Sequence, residues 1–184
     1  MAPDQRRAQL LDAASAAFLT GGFDGTSMDD VAREAGVTRL IVYKHFESKQ
    51  AVYRSVLDLV MARLREEFTG LEEVGERGGV VRALLTVARI HPDAFRLLWR
   101  HAAHEPEFAG YAADVRSLAD AYTASVLAGR AVPEPLQGWT ARALSAHVID
   151  GVCTWLDEGD PADDELFVDR HAAGARALVG ALAD

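Results

Sequence analysis

The chain of 184 residues has very little of what enzymes and membrane proteins display. Its single cysteine, Cys153, rules out an intrachain disulfide. The sequence contains no Gly-x-Ser-x-Gly motif, no phosphate-binding glycine loop and no dinucleotide fingerprint. No apolar run is long enough to cross a bilayer, and no apolar signal segment leads the N-terminus. We therefore expect a cytoplasmic chain that is not an enzyme, with no cofactor and no membrane partner.

Histidine and cysteine offer only weak signs of chemistry. His101 and His104 lie three residues apart on a predicted helix and His91 lies nearby, but zinc would need further ligands and the His-Glu-x-x-His motif is absent. We predict that these histidines are surface or capping residues and that no metal site exists. Cys153 lies in an apolar run and is expected to be a small buried hydrophobe rather than a redox sensor.

The net charge of −9 is unevenly distributed along the chain. Residues 1–55 contain seven basic and seven acidic side chains, whereas the remainder contains twelve basic and twenty-one acidic ones. A neutral N-terminal segment can approach phosphates while an acidic body faces away from them. The overall charge therefore does not exclude nucleic-acid binding.

The pattern of apolar residues predicts helices throughout, because they recur at helical spacing and never alternate with a period of two over a sustained run. Glycine and proline residues separate the segments. After an N-terminal helix that ends near Gly21 and Gly22, and the two short helices discussed next, helices are predicted over residues 48–68, 80–90, 93–104, 108–127, 136–157 and 164–183. The fold class is all-α.

Residues 26–46 have the pattern of two short helices joined by a tight turn. Ser27 is a suitable N-cap for the first helix, and Gly36 can adopt the left-handed conformation that ends it. Thr38 is expected to cap the second helix, in which Val42 and Phe46 share one face and can enter the core. This is the pattern of a helix-turn-helix, whose second helix lies in the major groove of DNA.

The same residues resemble the TetR family of transcriptional regulators over roughly residues 5–55. The matching positions are Thr26, Ala32, Ala35-Gly36-Val37, Thr38, Tyr43-Lys44-His45-Phe46 and Lys49. Leu40 and Ile41 depart from the family, in which many members have Gly or Pro followed by Thr or Ser. The resemblance implies a three-helix DNA-binding domain (residues 1–48) and a helical effector-binding and dimerisation domain (residues 49–184). It also implies a repressor that a small hydrophobic or amphipathic molecule releases from its operator.

The candidate DNA-binding residues lie in and around the helix-turn-helix. Arg39 is predicted to read a base, with Leu40 and Lys44 as further base contacts, since Leu40 could meet a thymine methyl group. The remaining candidates are predicted to hold phosphates. They are Thr26, Ser27, Thr38, Tyr43, His45 and Lys49.

The last two predicted helices are apolar over a wider arc than one core-facing stripe requires. We expect them to pair with the same helices of a second chain, and the resulting homodimer would read a near-palindromic operator in double-stranded DNA. Aromatic and aliphatic residues of the central helices are the candidate walls of an effector pocket. They are Leu57, Met61, Leu64, Leu84, Val87, Phe95, Leu98, Trp99, Phe108, Tyr111, Tyr122 and His147.

Two other functions remain compatible with the sequence. The chain could be a DNA-binding factor that takes no ligand, which a ligand screen by thermal shift would address. It could also be an all-helical metal-dependent enzyme, which metal analysis of the purified protein would address.

Overall fold

The computed structural model describes residues 3–74 and 78–183, and within these ranges the chain forms helices and turns with no β-strand. The all-α prediction is confirmed. Gly75, one of the glycines between the helices predicted over residues 48–68 and 80–90, lies outside the described residues. The helices are α1 (Pro3–Gly25), α2 (Met28–Glu34), α3 (Arg39–His45), α4 (Lys49–Val74), α5 (Gly79–Ile90), α6 (Pro92–Arg96), α7 (Ala109–Leu127), α8 (Glu134–Glu158) and α9 (Asp164–Ala183).

Helices α1, α2 and α3 form a small N-terminal unit, which we call the head. Phe18, Val31 and Val42 fill its interior and are almost fully buried. The expected interruption of α1 occurs at Gly22, whose φ of 67° is a left-handed conformation that glycine adopts without steric cost. The chain then turns toward α2, so Gly22, one of the two glycines predicted to end the first helix, redirects it.

Local side-chain chemistry sets the boundaries of α2. Ser27 accepts a hydrogen bond from the backbone N–H of Asp30, and the Asp30 carboxylate accepts one from the Ser27 backbone, which completes a capping box. The hydrogen bonds that the Ser27 hydroxyl and the Ser27 backbone N–H donate to the Asp30 carboxylate, followed by one from Arg33, lower the pKa of Asp30 to about 2. At the other end Gly36 has a φ of 63°. Both features agree with the sequence prediction for the turn.

The other predicted caps have different outcomes. Ser48 caps α4, because its hydroxyl oxygen accepts the Ala51 N–H at 3.1 Å. Thr38 is at the N-cap position of α3, but its side chain makes no capping bond, so only the position of this cap was predicted correctly. Phe46 ends α3 and is buried together with Val42, as the shared face of these residues predicted.

Helices α4 to α9 form the larger part of the structure, which we call the body. Helices α4 and α7 begin beside the head and run away from it, while α5 returns toward the head. Helix α9 begins near the end of α5, since Arg89 of α5 forms an ion pair with Asp164 at 2.7 Å. The packing of α4, α5, α7, α8 and α9 leaves a cavity between these helices.

The predicted helix over residues 93–104 is not regular. Helix α6 covers Pro92–Arg96 only, and the chain continues as a wider π turn at Leu97–His101 and a tighter 3₁₀ turn at Ala102–His104. Periodicity alone does not distinguish these helical forms, because they differ by about one residue in hydrogen-bond spacing. The π turn contains Trp99, a residue of the central space.

A cluster of aromatic rings joins the head to the body. Phe23 lies at the end of α1, Tyr53 on α4 and Phe108 immediately before α7, with ring centroids 4.4–5.3 Å apart. Phe18 extends the cluster into the head, at 4.9 Å from Tyr53. The four rings are buried, so the hydrophobic core is continuous across the junction.

Among the helices of residues 3–74 and 78–183, none has the length and apolar character that a membrane span requires.

Candidate nucleic-acid interface and effector cavity

The outer face of α3 carries the three side chains predicted to contact bases, together with Tyr43, which was predicted to hold a phosphate. Arg39 and Lys44 are exposed, Leu40 is 67% exposed and Tyr43 is 42% exposed. An exposed leucine on a short helix is costly in water unless a partner covers it, and a thymine methyl group is such a partner. The face therefore combines cationic, aromatic and apolar contacts, although its contact with bases stays a prediction.

Arg39 is held by two neighbours on the surface of the head. Its guanidinium donates to the Asp29 carboxylate of α2 at 2.9 Å and to the Tyr43 hydroxyl at 3.2 Å, and it lies 5.2 Å from the centre of the Tyr43 ring. The hydrogen bond with Tyr43 and the charge of Asp29 raise the pKa of Arg39. The side chain is consequently oriented before any DNA contact is made.

Contacts from α1 fix the position of α3. Arg7 donates to the backbone carbonyl of His45 at 3.5 Å and to the Ser55 hydroxyl at 3.1 Å, and it lies 4.5 Å from the centre of the Phe46 ring. A cation at the last carbonyls of a helix also stabilises its dipole. Gln9 donates to the carbonyl of Ala35 at the turn, at 3.0 Å. Helix α3 is thus presented on a rigid support.

Three of the predicted phosphate-binding residues lie where such contacts are possible. Ser27 and Thr38 are exposed at the starts of α2 and α3, and His45 is half-buried at the end of α3. The Ser27 hydroxyl already donates to the Asp30 carboxylate at 2.6 Å, so a phosphate would have to replace this carboxylate as its acceptor. The Thr38 hydroxyl has no such capping bond. Thr38 is the better placed of the two hydroxyls, and all three assignments stay predictions.

Thr26 was wrongly placed among the phosphate-binding residues. It is only 4% exposed, and its hydroxyl donates to the carbonyls of Gly22 at 2.7 Å and Ala17 at 3.1 Å. These carbonyls need a donor because the helix is interrupted at Gly22. Thr26 supports the bend between α1 and α2, and it does not belong to the DNA-facing surface.

Lys49 also has an internal role in this structure. Its Nζ donates to the carbonyl of Phe23 at 2.7 Å and to that of Asp24 at 3.4 Å, and it lies 4.3 Å from the centre of the Phe23 ring. The ammonium group satisfies carbonyls at the end of α1 that have no helical partner. A phosphate contact would compete with these bonds, so that role of Lys49 stays a prediction.

A cavity of about 620 Å³ lies between α4, α5, α7, α8 and α9. Its volume is within the range of small-molecule sites, roughly 300–1,000 Å³. Its walls are mainly aliphatic and aromatic. The predicted pocket residues that line it are Met61, Leu64, Leu84, Trp99 and Tyr122.

The other seven predicted wall residues lie elsewhere. Four of them are packed in the core away from the cavity: Leu57, Val87, Phe95 and Leu98. Phe108 belongs to the aromatic junction, and Tyr111 donates to the Asp58 carboxylate at 2.7 Å. His147 is exposed on α8, where its ring contacts His171 at 4.7 Å. These assignments were wrong because an apolar residue type does not distinguish a cavity wall from close-packed core.

Most of the wall that α7 provides was not predicted from the sequence. Val115, Leu118, Ala119 and Val126 line the cavity on one face of this helix. Leu118 is 57% exposed and Val126 is 51% exposed, so the cavity opens to solvent on this side. Leu118 and Ala119 follow Val115 by three and four residues, and Val126 follows Ala119 by seven. This spacing is that of a stripe along one face of a helix, which could have been recognised in the sequence. Val179 of α9 closes another part of the wall.

The remaining chemistry of the body is structural. Cys153 is fully buried, and burial raises the pKa of its thiol to about 11, which agrees with its expected role as a small hydrophobe. His101 and His104 are exposed. No group of three or more histidine, cysteine, aspartate or glutamate side chains within residues 3–74 and 78–183 is arranged to hold a metal ion.

Comparisons with known proteins agree with this architecture. The family model described as bacterial regulatory proteins of the tetR family matches residues 10–56, which include the helix-turn-helix. This chain is 28% identical over 176 residues to the transcriptional activator FasR of Mycolicibacterium smegmatis, covering 90% of this chain and 79% of FasR. The N-terminal part of the chain is therefore similar to the TetR family, and most of the chain is similar to a known transcriptional regulator. The expected fold and the assignment as a regulator rather than an enzyme are thereby confirmed.

Two further transcriptional regulators show the extent of the similarity in sequence and in fold. The regulator RutR of Escherichia coli is 35% identical over 99 residues, but this alignment covers only 50% of the chain and 45% of RutR. The crystal structure of a TetR-like regulator from Rhodococcus sp. RHA1 superimposes with a TM-score of 0.80 at 21% identity, over 98% of this chain and 96% of that one. The fold is retained along nearly the whole chain, whereas the family model matches residues 10–56 only.

Proposed function

We propose that this protein is a dimeric transcriptional repressor that binds a near-palindromic operator through α3 of each protomer. A small apolar or amphipathic effector, bound in the cavity of the body, releases it from DNA. The observation that carries this proposal is the combination of an exposed, rigidly supported α3 with a cavity whose walls include helices that contact the head. Because its target is genomic DNA, we place the protein in the cytoplasm.

The geometry of α3 supports sequence-specific binding. Arg39 can form two parallel hydrogen bonds with a guanine, and Leu40 can contact a thymine methyl group. Lys44 lies on the same exposed helix and adds a cation for phosphate or base contact. The head as a whole is close to neutral, so the specific contacts do not have to overcome a large repulsion from DNA.

The exposed surfaces of α8 and α9 support a homodimer. Trp139 on α8 is 52% exposed and Leu166 on α9 is 55% exposed. The exposed face of α9 continues with small residues that permit close helix packing, namely Ala173, Gly174, Ala177 and Gly180. Two copies of this surface related by a twofold axis would bury the apolar groups and place two α3 helices on one side of a duplex.

The helices that surround the cavity also support a switch. Helix α4 starts at the head with Lys49, and further along it presents Met61 and Leu64 to the cavity. Helix α7 starts beside Phe108 in the aromatic junction and forms another wall. A ligand that binds one arrangement of these helices more tightly than the other shifts the separation of the two heads.

The experiment begins with selection of genomic fragments by the purified full-length chain. Binding of the selected duplex is then compared for wild-type protein and Ala177→Arg, which places a charge at the centre of the exposed face of α9. Light scattering should show a dimer for the wild type and a monomer for Ala177→Arg, with operator affinity reduced accordingly. Ala113→Arg, on the exposed face of α7, is the matched control and should remain dimeric. A wild-type monomer at micromolar concentration would contradict the dimer.

An activator is the second candidate, and the name of FasR favours it. Both candidates require the same operator binding, so DNA affinity does not separate them. Deletion of the gene in the host separates them, because transcripts from the bound promoters rise if the protein represses and fall if it activates. A fall would overturn the repressor proposal and leave operator binding intact.

A further inference from the structure

Three arginines line the cavity, and we call them the cavity arginines: Arg65 on α4, Arg130 just after α7 and Arg176 on α9. No aspartate or glutamate lines it among the residues that the structure describes. This is an unusual local balance in a chain with 28 acidic and 19 basic residues. The cavity is therefore apolar over most of its wall and cationic at three positions.

Within the described ranges the cavity arginines have no ion-pair partner, whereas other arginines of the body do have one. Arg82 pairs with Glu165, and Arg89 pairs with Asp164 at 2.7 Å. Those pairs fasten α5 to α9 on a different side of the body. A guanidinium group has five N–H donors and cannot be deprotonated, so an unpaired one beside an apolar wall favours an anion as its partner.

Helix direction places the cavity arginines at one end of the cavity. Helices α4 and α7 begin beside the head and α9 begins at the head-proximal end of α5, as described above, and each cavity arginine lies late in its helix or just beyond it. All three therefore lie toward the end of the body remote from the head. The intervening walls, including Val115 and Ile149, carry no charge. A ligand that matches this arrangement has one charged end and a hydrocarbon body.

Trp99 provides an independent indication that the space accepts a ligand. It lines the cavity from the π turn, it is only 8% exposed, and its indole Nε1 is a buried donor with no acceptor in the described structure. Buried donors are nearly always paired, and an unpaired one costs on the order of 1–3 kcal/mol. An oxygen atom of a bound molecule would satisfy it.

We propose that the effector is an amphipathic anion. Its hydrocarbon chain lies against the apolar walls, and its oxyanion, a carboxylate or a phosphate, binds the cavity arginines. Charge-assisted hydrogen bonds from guanidinium to an oxyanion are stronger than neutral ones. This inference rests on the proposed role of the cavity as the effector site, and it adds the charge of the ligand.

Four probes with the same twelve-carbon chain test the head group: dodecanoate, dodecyl phosphate, dodecanol and dodecyltrimethylammonium. Each is titrated into the full-length protein below its micelle concentration, with tryptophan fluorescence and calorimetry as readouts. We expect the two oxyanions to bind about tenfold more tightly than the alcohol, and the ammonium compound to bind most weakly. The ratio between carboxylate and phosphate shows which oxyanion the site prefers. Trp99→Phe should remove most of the fluorescence response and identify its source.

Single substitutions then locate the anion. Arg65→Gln, Arg130→Gln and Arg176→Gln should each weaken dodecanoate binding about tenfold and leave dodecanol binding unchanged. Arg142→Gln is the control, since Arg142 is exposed on α8 and does not line the cavity. Thermal unfolding of each variant identifies any loss of folded protein.

The outcomes separate this inference from the proposed function. Equal binding of alcohol and oxyanions, tighter binding of the ammonium compound, or unchanged affinity in all three cavity variants would overturn the anion proposal. If dodecanol then still binds and releases the selected DNA, the cavity remains the effector site. If no probe binds and none releases the DNA, both the anion proposal and the effector role of the cavity are overturned.

Discussion

Arg39 of α3 and Asp29 of α2 form an ion pair at 2.9 Å on the surface that is expected to face DNA. The pair joins the two helices of the helix-turn-helix, and both side chains are 58% exposed. Exposed ion pairs contribute little to stability, about 0–1 kcal/mol. The importance of this pair is therefore its effect on the orientation of Arg39 and on the charge that the head presents to phosphates.

Asp29→Asn should increase affinity for DNA of any sequence. The substitution removes a carboxylate near the phosphate backbone and leaves an amide that can still accept a hydrogen bond from Arg39. Fluorescence anisotropy with the selected operator and with a scrambled duplex would measure this, and the gain should shrink as salt is raised. An unchanged affinity for the scrambled duplex at low salt would show that Asp29 lies away from the phosphates.

Arg39→Ala should cost about 1–3 kcal/mol of operator binding and relax the preference at one base position. The reason is that a base-reading side chain contributes to discrimination, whereas a phosphate contact weakens all sequences alike. Affinities for a set of operators with single base changes would measure the effect. Equal losses on every duplex in the set would assign Arg39 to the phosphate backbone instead.

The two lysines of this region should behave differently when replaced by alanine. Lys44 is exposed and makes no internal hydrogen bond in the described structure. Lys44→Ala should therefore lower the slope of log affinity against log salt concentration by about one, without changing stability. Lys49→Ala removes the donor that satisfies the carbonyls of Phe23 and Asp24. It should lower the free energy of unfolding by about 1–3 kcal/mol. Thermal unfolding and salt titrations of both variants distinguish the two roles, and a fully stable Lys49→Ala protein would contradict the structural one.

Glu105, which precedes α7 in the body, forms a hydrogen bond to the head. Its carboxylate accepts the backbone N–H of Phe23 at 3.3 Å, a donor released where α1 is interrupted, and it lies just before the start of α7. Glu105→Ala should therefore leave ligand binding intact and reduce the ability of ligand to release DNA. Glu107→Ala, an exposed neighbour, is the control. The measurement is the ratio of operator affinities with and without ligand, and an unchanged ratio for Glu105→Ala would remove this contact from the coupling.

How far the sequence predicted the molecule depends on whether the determining contacts are local. Ser27, Gly36 and Ser48 fix helix ends through neighbours within three residues, and their roles were predictable for that reason. Thr26 was misplaced because its hydroxyl bonds to a carbonyl nine residues away, across the bend at Gly22, and the sequence pattern does not show such a contact. The position of α3 likewise depends on Arg7, whose contact with it spans 38 residues.

The cavity was the least predictable feature, because its walls come from five helices that are distant in sequence. Leu57 and Leu64 are both apolar residues of α4 that face inward, yet only Leu64 reaches the cavity. The π turn that carries Trp99 was also not predicted, since apolar spacing does not reveal a change in hydrogen-bond pattern. These features depend on how whole helices pack against one another.

Acid should destabilise the body through His171 of α9, whose ring packs against α8. Burial lowers the pKa of His171 below its ordinary value of 6.5, although its ring contacts the Val148 carbonyl at 3.3 Å. The folded state therefore takes up this proton at a lower pH than the unfolded state, and stability falls as the pH drops below about 6.5. His171→Phe should flatten this dependence in urea unfolding between pH 7 and pH 5, and it retains an aromatic ring beside Phe167. A slope that persists unchanged would assign the effect to other groups.

The central claim is that the head binds a particular DNA sequence through the exposed face of α3. The most direct test is the ratio of dissociation constants for a selected genomic duplex and a random duplex of the same length, measured at moderate salt. We expect the wild-type protein to prefer the selected duplex by about a thousandfold or more, as specific DNA-binding proteins do, and Arg39→Ala to show a much smaller preference. Equal affinities of the wild-type protein for both duplexes would contradict it.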